Sequence, residues 1–368
     1  MIHKRVFSTF ISCILASVIL LSAVSCGQND IPWDKQPSSP AVFSEPNTTT
    51  AADKNLPQTA AATASAAVTT TAATEITSLL PPYPDPDAIN TEAIITDYDL
   101  PSISAALYDF TDNSLLVSTD LYEQIYPAST TKVLTALFAL TVLDVDDMCV
   151  IGDEQRLVPY DSSFAGVKQG ESMTLEQLLY AMLLRSGNDA AYAVAANCGR
   201  ILGNDPDTEV NEGELLTAAE AVSVFMDGIN DYAFSIGMQD THFVTPDGYH
   251  DRDHYTCLHD LLVMVKTAID NDEIMKITST YQISFTIESG RTYSMTNTNA
   301  LLNPGSSYYM EDAIGLKTGF TSDAGGCVIT VAKRNDHTVA ALVYRAENST
   351  LRFKYAFDLL NFAWDTIG

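Results

Sequence analysis

A serine and a lysine three residues apart could form a nucleophile and its base. Ser129 and Lys132 stand at the start of a segment with helical apolar spacing, so both side chains project from one helix face. The amino terminus of a helix favours negative charge. A neutral lysine amine could take the hydroxyl proton there and generate a nucleophile. The same spacing also occurs in ordinary surface pairs, so this motif alone is a weak indication.

Two further motifs carry groups that could complete such a site. Ser186-Gly187-Asn188 offers a hydroxyl that can relay a proton and an amide that can bind a substrate carbonyl. Lys317-Thr318-Gly319 offers a cation, a hydroxyl and a glycine that lets a substrate backbone come close. Each motif alone is usually a cap or a turn. All three in this order are typical of class A β-lactamases and penicillin-binding proteins.

The residues around these motifs narrow the resemblance to one family. Segments 126–137, 182–191, 245–248 and 315–321 resemble the D-alanyl-D-alanine carboxypeptidases, the low-molecular-mass penicillin-binding proteins. Gly187 is typical of that family, where class A β-lactamases usually have an aspartate. The resemblance extends from about residue 95 to the end of the chain.

The resemblance implies a β-lactamase/transpeptidase-like fold and a two-step reaction without cofactor or metal ion. A serine attacks the peptide bond between two D-alanine residues of a peptidoglycan stem peptide, and the acyl-enzyme is then hydrolysed. β-Lactam antibiotics are expected to inhibit by acylating the same serine.

The resemblance also implies the catalytic roles. Ser129 is the expected nucleophile, Lys132 its base, and Ser186 the group that passes a proton to the leaving amine. The backbone N–H groups of Ser129 and Phe320 would form the oxyanion hole. Lys132 must be neutral to act as a base, although the ordinary pKa of lysine is about 10.4. Burial and the nearby Lys317 are both expected to lower it.

The remaining site residues are expected to bind substrate. By the same resemblance, Asn188 holds the substrate amide, Lys317 supplies positive charge and Thr318 contacts the terminal carboxylate. Gly319 leaves room for the substrate backbone. Arg352 falls where the family has a carboxylate ligand, but it has no motif of its own, and a surface arginine at a helix start is the alternative.

The sequence distinguishes three other functions from this one, some more clearly than others. A D,D-endopeptidase of the same family would have the same motifs. A class A β-lactamase needs a Glu-x-x-x-Asn pattern on a loop between the second and third motifs, and none occurs between Asn188 and Lys317. A non-enzymatic wall-binding protein would need a broken motif, and all three are intact.

A cluster of histidines and aspartates raises the question of a metal site. By composition alone such a cluster could bind zinc: His250, His254, His259, Asp251, Asp253 and Asp260. The run 248–256 instead resembles a loop and helix start of the serine family. The sequence therefore favours a site without metal.

The elements that must position these residues are predicted from apolar periodicity and turn signals. Two β-hairpins are indicated, over residues 103–119 and 326–344. Helices are predicted over residues 129–143, 174–184, 189–197, 256–269 and 351–364. Thr174 with Gln177 fits a capping box, and Gly199 fits a helix stop. This pattern predicts an α+β fold, with one antiparallel sheet from the two terminal hairpins, flanked by helices, and a helical lobe.

The charge of the chain excludes nucleic acid as a partner. The 368 residues include 19 Lys and Arg against 47 Asp and Glu, a formal net charge of −28. Binding to phosphate backbones needs a basic surface. An anionic membrane would also repel the protein unless something anchors it.

The first residues provide such an anchor. Residues 1–25 have a positive start, an apolar run over 6–24 and small residues before Cys26, which is typical of a signal peptide. A cysteine at that point resembles the lipobox of bacterial lipoproteins, in which it becomes lipidated. Ordinary cleavage and an uncleaved membrane anchor remain alternatives. All three place the domain outside the cytoplasm, in the bacterial cell envelope, and lipidation places it on the outer face of the cytoplasmic membrane.

A linker separates this anchor from the catalytic domain. Residues 26–91 are rich in Thr, Ala and Pro and poor in large apolar residues, which predicts a disordered tether. Residues 92–368 form the predicted serine D,D-peptidase domain. No two of its four cysteines have the C-x-x-C spacing of a metal knuckle or redox pair, so most are expected to be small buried apolar residues.

Overall fold

A computed structural model describes residues 89–93, 99–101, 103–204 and 216–368. The predicted signal peptide, Cys26 and most of the predicted linker lie outside these residues. The described core includes Ile89, three residues before the predicted start of the domain. None of the described helices combines the length and the apolar composition needed to cross a bilayer.

The described strands and helices have the following bounds. The strands are β1 (Ser104–Asp109), β2 (Ser114–Ser118), β3 (Met148–Val150), β4 (Ser172–Thr174), β5 (Gln282–Thr286), β6 (Thr292–Thr296), β7 (Ala313–Thr321), β8 (Gly325–Arg334) and β9 (His337–Ala346). The helices are α1 (Thr131–Val142), α2 (Leu175–Leu184), α3 (Asn188–Leu202), α4 (Ala218–Ser235), α5 (Leu258–Ile269), α6 (Asp272–Ser279) and α7 (Leu351–Ile367).

A five-stranded antiparallel sheet joins the two ends of the described fold. Its strands lie in the order β2-β1-β9-β8-β7, so both predicted hairpins belong to it. Ser104 pairs with Tyr344 where β1 meets β9. The predicted α+β fold with one sheet from the terminal hairpins is therefore confirmed. The strand β7, with the Lys317-Thr318-Gly319 motif, pairs with β8 at one edge of this sheet.

Both faces of the sheet are covered, which explains why its strands are almost continuously apolar. In β1, Ala106 and Tyr108 face the core of the helical lobe. The alternate residues Ala105 and Leu107 face a second core that contains apolar residues of α7. The sheet is thus a middle layer, and β7 is held rigidly at the border of the helical lobe.

Helix α1 lies at the centre of the helical lobe. Its residues from Thr131 to Ala139 are all buried, and it contacts each of the helices α2 to α6. A helix that is buried on every side is surrounded by protein rather than lying at the surface. The residues at its amino terminus therefore have a fixed position relative to the sheet.

Local signals predicted some helix boundaries correctly and others wrongly. The capping box of Thr174 and Gln177 is present at the start of α2, which confirms that prediction. The helix stop at Gly199 was wrong, because α3 continues to Leu202. A Cβ at Gly199 would lie 1.8 Å from the carbonyl oxygen of Ala221, so this glycine permits close packing of α3 on α4.

Candidate active site

The first motif lies where a short 3-10 turn runs into the central helix. The turn spans Ala128–Thr130 and places Ser129, which is partly exposed, ahead of α1. The Nζ of Lys132 donates to the Oγ of Ser129 at 2.9 Å. The two side chains therefore meet directly, with the hydroxyl able to lose its proton to the amine when the amine is neutral.

Lys132 is fully buried and held by three acceptors. Besides Ser129, its Nζ donates to the Oδ1 of Asn188 at 2.8 Å and to the backbone oxygen of Asp247 at 2.7 Å. Burial lowers the pKa of Lys132 to about 8, against the opposing effect of the negative charges of Asp247 and Asp189. Near pH 8 a substantial fraction of this amine is thus neutral, as a general base requires.

The second motif lies at the junction of α2 and α3. Ser186 has a positive φ of 57°, a conformation that is costly for a residue other than glycine. Its Oγ accepts a hydrogen bond from the Nζ of Lys317 at 2.9 Å. Asn188, the first residue of α3, accepts from Lys132 through its Oδ1, so its Nδ2 is the end that can donate.

The third motif forms part of β7. Lys317 is buried, and its Nζ also donates to the backbone oxygen of Thr318 at 2.8 Å. Burial lowers the pKa of Lys317 well below its ordinary value, and the charges of Lys132 and Arg352 lower it further. The predicted charge repulsion between the two lysines therefore lowers the pKa of Lys317. The pKa of Lys132 is lowered by burial instead. The hydroxyl of Thr318 lies 2.6 Å from that of Thr298.

The strand β7 passes very close to the turn that carries the serine. A Cβ at Gly319 would lie 2.9 Å from the backbone nitrogen of Ser129 and 3.0 Å from the Cβ of Ala128. Real Cβ atoms almost never come this close to another heavy atom, so only a glycine fits at this position. Phe320 follows this glycine in β7, and its side chain is 53% exposed.

Arg352, in the first turn of α7, contacts this strand. It is buried, and one terminal nitrogen donates to the backbone oxygen of Gly319 at 2.5 Å and to that of Cys327 at 3.5 Å. Its Nε is buried without a hydrogen-bond partner. Burial lowers the pKa of the guanidinium to about 10, so it stays charged at neutral pH. The alternative of an exposed surface arginine is wrong.

Some residues of the site were not singled out from the sequence. Asp189 accepts backbone N–H groups from Ala165, Gly166, Val167 and Ala190, which fixes a loop beside Asn188. Its position directly after the second motif is a signal that could have found it. Asp247, which binds Lys132 through its backbone oxygen, lies within the segment 245–248. Thr298 carries no local signal.

The histidines of the composition cluster have separate partners. His254 contacts Thr131 at 2.9 Å, and His250 lies 3.6 Å from Asp323. His259 lies 3.2 Å from Asp260. The other predicted cluster members, Asp251 and Asp253, hydrogen-bond to each other through the Asp253 backbone nitrogen. The four cysteines of the domain are free and buried: Cys149, Cys198, Cys257 and Cys327.

Comparison with known proteins gives a consistent result. A family model described as D-alanyl-D-alanine carboxypeptidase matches residues 91–203 and 217–348. The D-alanyl-D-alanine carboxypeptidase DacF of Bacillus subtilis is 26% identical over 265 residues, which are 71% of this chain and 61% of that protein. The chain thus spans about three fifths of the length of this curated relative.

Two solved structures share the fold at similar identity. The DD-transpeptidase of Streptomyces K15 superposes with a TM-score of 0.63 at 25% identity, over 74% of this chain and all of that one. Penicillin-binding protein D2 of Listeria monocytogenes, solved in its ampicillin-bound form, gives a TM-score of 0.55 at 25% identity. The superposition covers 70% of this chain and 95% of the Listeria chain.

Proposed function

The chain belongs to the D-alanyl-D-alanine carboxypeptidase family, and we propose that it removes the terminal D-alanine from peptidoglycan stem peptides as a serine peptidase. The observation that carries the proposal is the hydrogen bond between the hydroxyl of Ser129 and a buried lysine whose pKa is lowered to about 8. A serine beside a lysine that can be neutral at working pH is an activated nucleophile.

Acylation follows from the positions of these groups. Neutral Lys132 takes the proton of Ser129, and the Oγ attacks the carbonyl carbon of the bond between the two D-alanines. The negative charge that develops on the carbonyl oxygen is bound by the backbone N–H groups of Ser129 and Phe320. When the C–N bond breaks, Ser186 gives its proton to the leaving amine. The proton that Lys132 took from Ser129 replaces it, directly or through Lys317, so Lys132 is neutral again.

Hydrolysis of the ester then restores the enzyme. A water molecule gives a proton to Lys132 and attacks the ester carbonyl in the same oxyanion hole. The Ser129 oxygen leaves and takes the proton from Lys132, which releases the shortened stem peptide and restores both groups. A β-lactam presents a strained amide to the same nucleophile, so penicillin should acylate Ser129 as well.

The proposal is tested by comparing two substrates. A synthetic peptide ending in D-Ala-D-Ala and a cross-linked dimer of stem peptides are each incubated with the protein, and D-alanine release and dimer cleavage are measured. Release from the peptide with little dimer cleavage supports a carboxypeptidase. Dimer cleavage without D-alanine release would replace the proposal with a D,D-endopeptidase.

The rate should depend on pH through Lys132. Since the pKa is about 8 and the neutral form is the active one, kcat/KM for D-alanine release should rise as the pH increases through 8. Well below the pKa the fall should be about tenfold for each pH unit, because the neutral fraction falls by that factor. Enzyme returned to pH 8 after each incubation controls for inactivation. A flat profile between pH 6 and 8 would contradict the role of Lys132.

Arg352 is proposed to select a free carboxylate terminus, using the guanidinium nitrogens that Gly319 and Cys327 do not occupy. Arg352→Ala should reduce D-alanine release from a free-acid peptide about ten- to a hundredfold, because a charged hydrogen bond is worth about 1.5–3 kcal/mol. Acylation by an uncharged ester substrate should fall much less. Arg352→Lys, which keeps the charge without the planar fork, is the matched variant. Equal losses on both substrates would show that the arginine only supports β7.

We also propose that the protein acts at the outer face of the cytoplasmic membrane, anchored through a lipid on Cys26. Cys26→Ser should release the full-length protein from the membrane fraction. Persistent membrane binding of this variant would favour an uncleaved anchor over residues 6–24.

Removal of the predicted tether should leave a soluble, active domain. The boundary matters, because Ile89 is buried in the core and the backbone nitrogen of Asn90 donates to the Tyr108 hydroxyl at 2.9 Å. A chain beginning at residue 89 should keep the stability of the full domain. A chain beginning at residue 92 should lose about 2 kcal/mol in free energy of unfolding, the value of one buried isoleucine. Equal stability of the two chains in urea would contradict this packing.

A further inference from the structure

The peptide unit between Ala128 and Ser129 is closely packed at both its nitrogen end and its oxygen end. Ala128 has a positive φ of 49°, which orients this unit. Its nitrogen end faces β7, where a Cβ at Gly319 would lie 2.9 Å away. Its oxygen end faces Gly248, where a Cβ would lie only 1.9 Å from the Ala128 oxygen. The C=O and N–H of a trans peptide point in opposite directions, so fixing the oxygen also fixes the direction of the Ser129 N–H.

A hydroxyl holds that oxygen. The Oγ1 of Thr131, the residue just before Lys132, donates to the backbone oxygen of Ala128 at 2.9 Å. Thr131 is completely buried, so no water competes for this bond. Because its one proton is used for Ala128, the hydroxyl can only accept from any further partner.

 That further partner is His254, which follows Thr131 by 123 residues in the chain. The fold brings its Nε2 to 2.9 Å from the Thr131 Oγ1. Its Nδ1 accepts backbone N–H groups from Val244 at 3.0 Å and Thr245 at 3.3 Å. Two donors at Nδ1 leave the ring proton on Nε2, where it can be donated to Thr131.

The surroundings keep this imidazole neutral and immobile. The ring is buried and stacks on Phe243 with 4.7 Å between centroids and 7° between planes. Burial, together with the neighbouring His242, lowers the pKa of His254 to about 3. A single tautomer therefore persists over the whole working range of pH.

We propose that His254 and Thr131 are positioning residues for the oxyanion hole, acting in series on the Ala128–Ser129 peptide. This inference rests on the proposed function, which assigns the Ser129 N–H to that hole. The hydrogen bonds all point one way along this chain. The Val244 and Thr245 amides donate to His254, His254 donates to Thr131, and Thr131 donates to the Ala128 oxygen. Hydrogen bonds in such a chain polarise one another, and a peptide whose oxygen accepts a bond is a stronger N–H donor.

The two positions offer matched variants. Thr131→Val removes the hydroxyl at constant shape, and Thr131→Ser restores it. His254→Phe keeps a ring without nitrogens, whereas His254→Gln keeps a donor near the Nε2 position. Three readouts are taken: the rate of acylation by benzylpenicillin, the melting temperature, and the ester carbonyl stretch of the acyl-enzyme by isotope-edited infrared difference spectroscopy. The carbonyl stretch reports donor strength in the oxyanion hole, which a purely structural role would not change.

Thr131→Val is expected to slow acylation about tenfold, since losing a whole oxyanion donor costs about 10²–10³ and this change only weakens one. It should also move the ester carbonyl band to higher wavenumber. Thr131→Ser should keep the wild-type rate and band, and His254→Phe should behave like Thr131→Val. Combining Thr131→Val with His254→Phe should cost little more than either alone, because both act through one chain.

Different results would overturn this inference and the proposed function. An unchanged carbonyl band in acylated Thr131→Val would overturn the inference, whether or not the rate fell. So would equal shifts in Thr131→Val and Thr131→Ser, which would show that the hydroxyl is not the cause. If wild-type protein took up no penicillin on Ser129, the proposed function itself would fail before the variants were compared.

Discussion

Ser129→Ala is expected to lower D-alanine release by about 10⁴-fold or more and to abolish covalent labelling by penicillin. The variant has no oxygen that could form the ester, and the remaining groups can only bind and polarise the substrate. The fold should be unaffected, because the hydroxyl is partly exposed and contacts Lys132. Release is followed with the D-Ala-D-Ala peptide, and labelling by mass spectrometry of the intact protein.

Ser284→Ala is the matched control. Ser284 lies on β5, exposed, and its hydroxyl faces that of Ser294 across the hairpin. This variant should retain full activity and label. Peptide mapping of the wild-type protein should place the drug on Ser129. A label on any other residue, or a labelled Ser129→Ala protein, would refute the assignment of the nucleophile.

Lys132→Met should lower the acylation rate about 10³-fold, within the range attributed to general base catalysis. Methionine is similar in length and apolar, so the buried site can accept it, but it cannot take the Ser129 proton. Lys132→Arg should be nearly as impaired, because a guanidinium keeps the positive charge and is never neutral in proteins. Comparing the two variants shows whether Lys132 acts as a proton acceptor or only as a positive charge. Both rates are measured by stopped-flow acylation with penicillin.

Lys276→Met controls for the loss of a lysine elsewhere. Lys276 is exposed and forms ion pairs with Glu176 and Glu273 on the surface, so its replacement should leave acylation unchanged. Melting temperatures of all three variants show whether each is folded. A folded Lys132→Arg protein that acylates at the wild-type rate would mean that charge, and not proton transfer, is what Lys132 contributes.

The sequence by itself determined the family and the fold class, and both predictions are confirmed. Strand alternation and turn residues predicted the terminal hairpins, and the capping box at Thr174 marked the start of α2. These signals are local, since period and capping depend on neighbours a few residues apart. The three motifs, read together, indicated the chemistry of Ser129 and Lys132, whose roles stay predictions until the variants are measured.

Only the tertiary structure decided which residues meet across the chain. Gly199 carries the local signal of a helix stop, yet it lies inside α3, because contact with α4 requires the absence of a side chain. The hydrogen bond from His254 to Thr131 joins residues 123 positions apart, and the lowered pKa of Lys132 arises from burial by several elements. Packing, burial and long-range hydrogen bonds depend on the whole fold, so no local pattern encodes them.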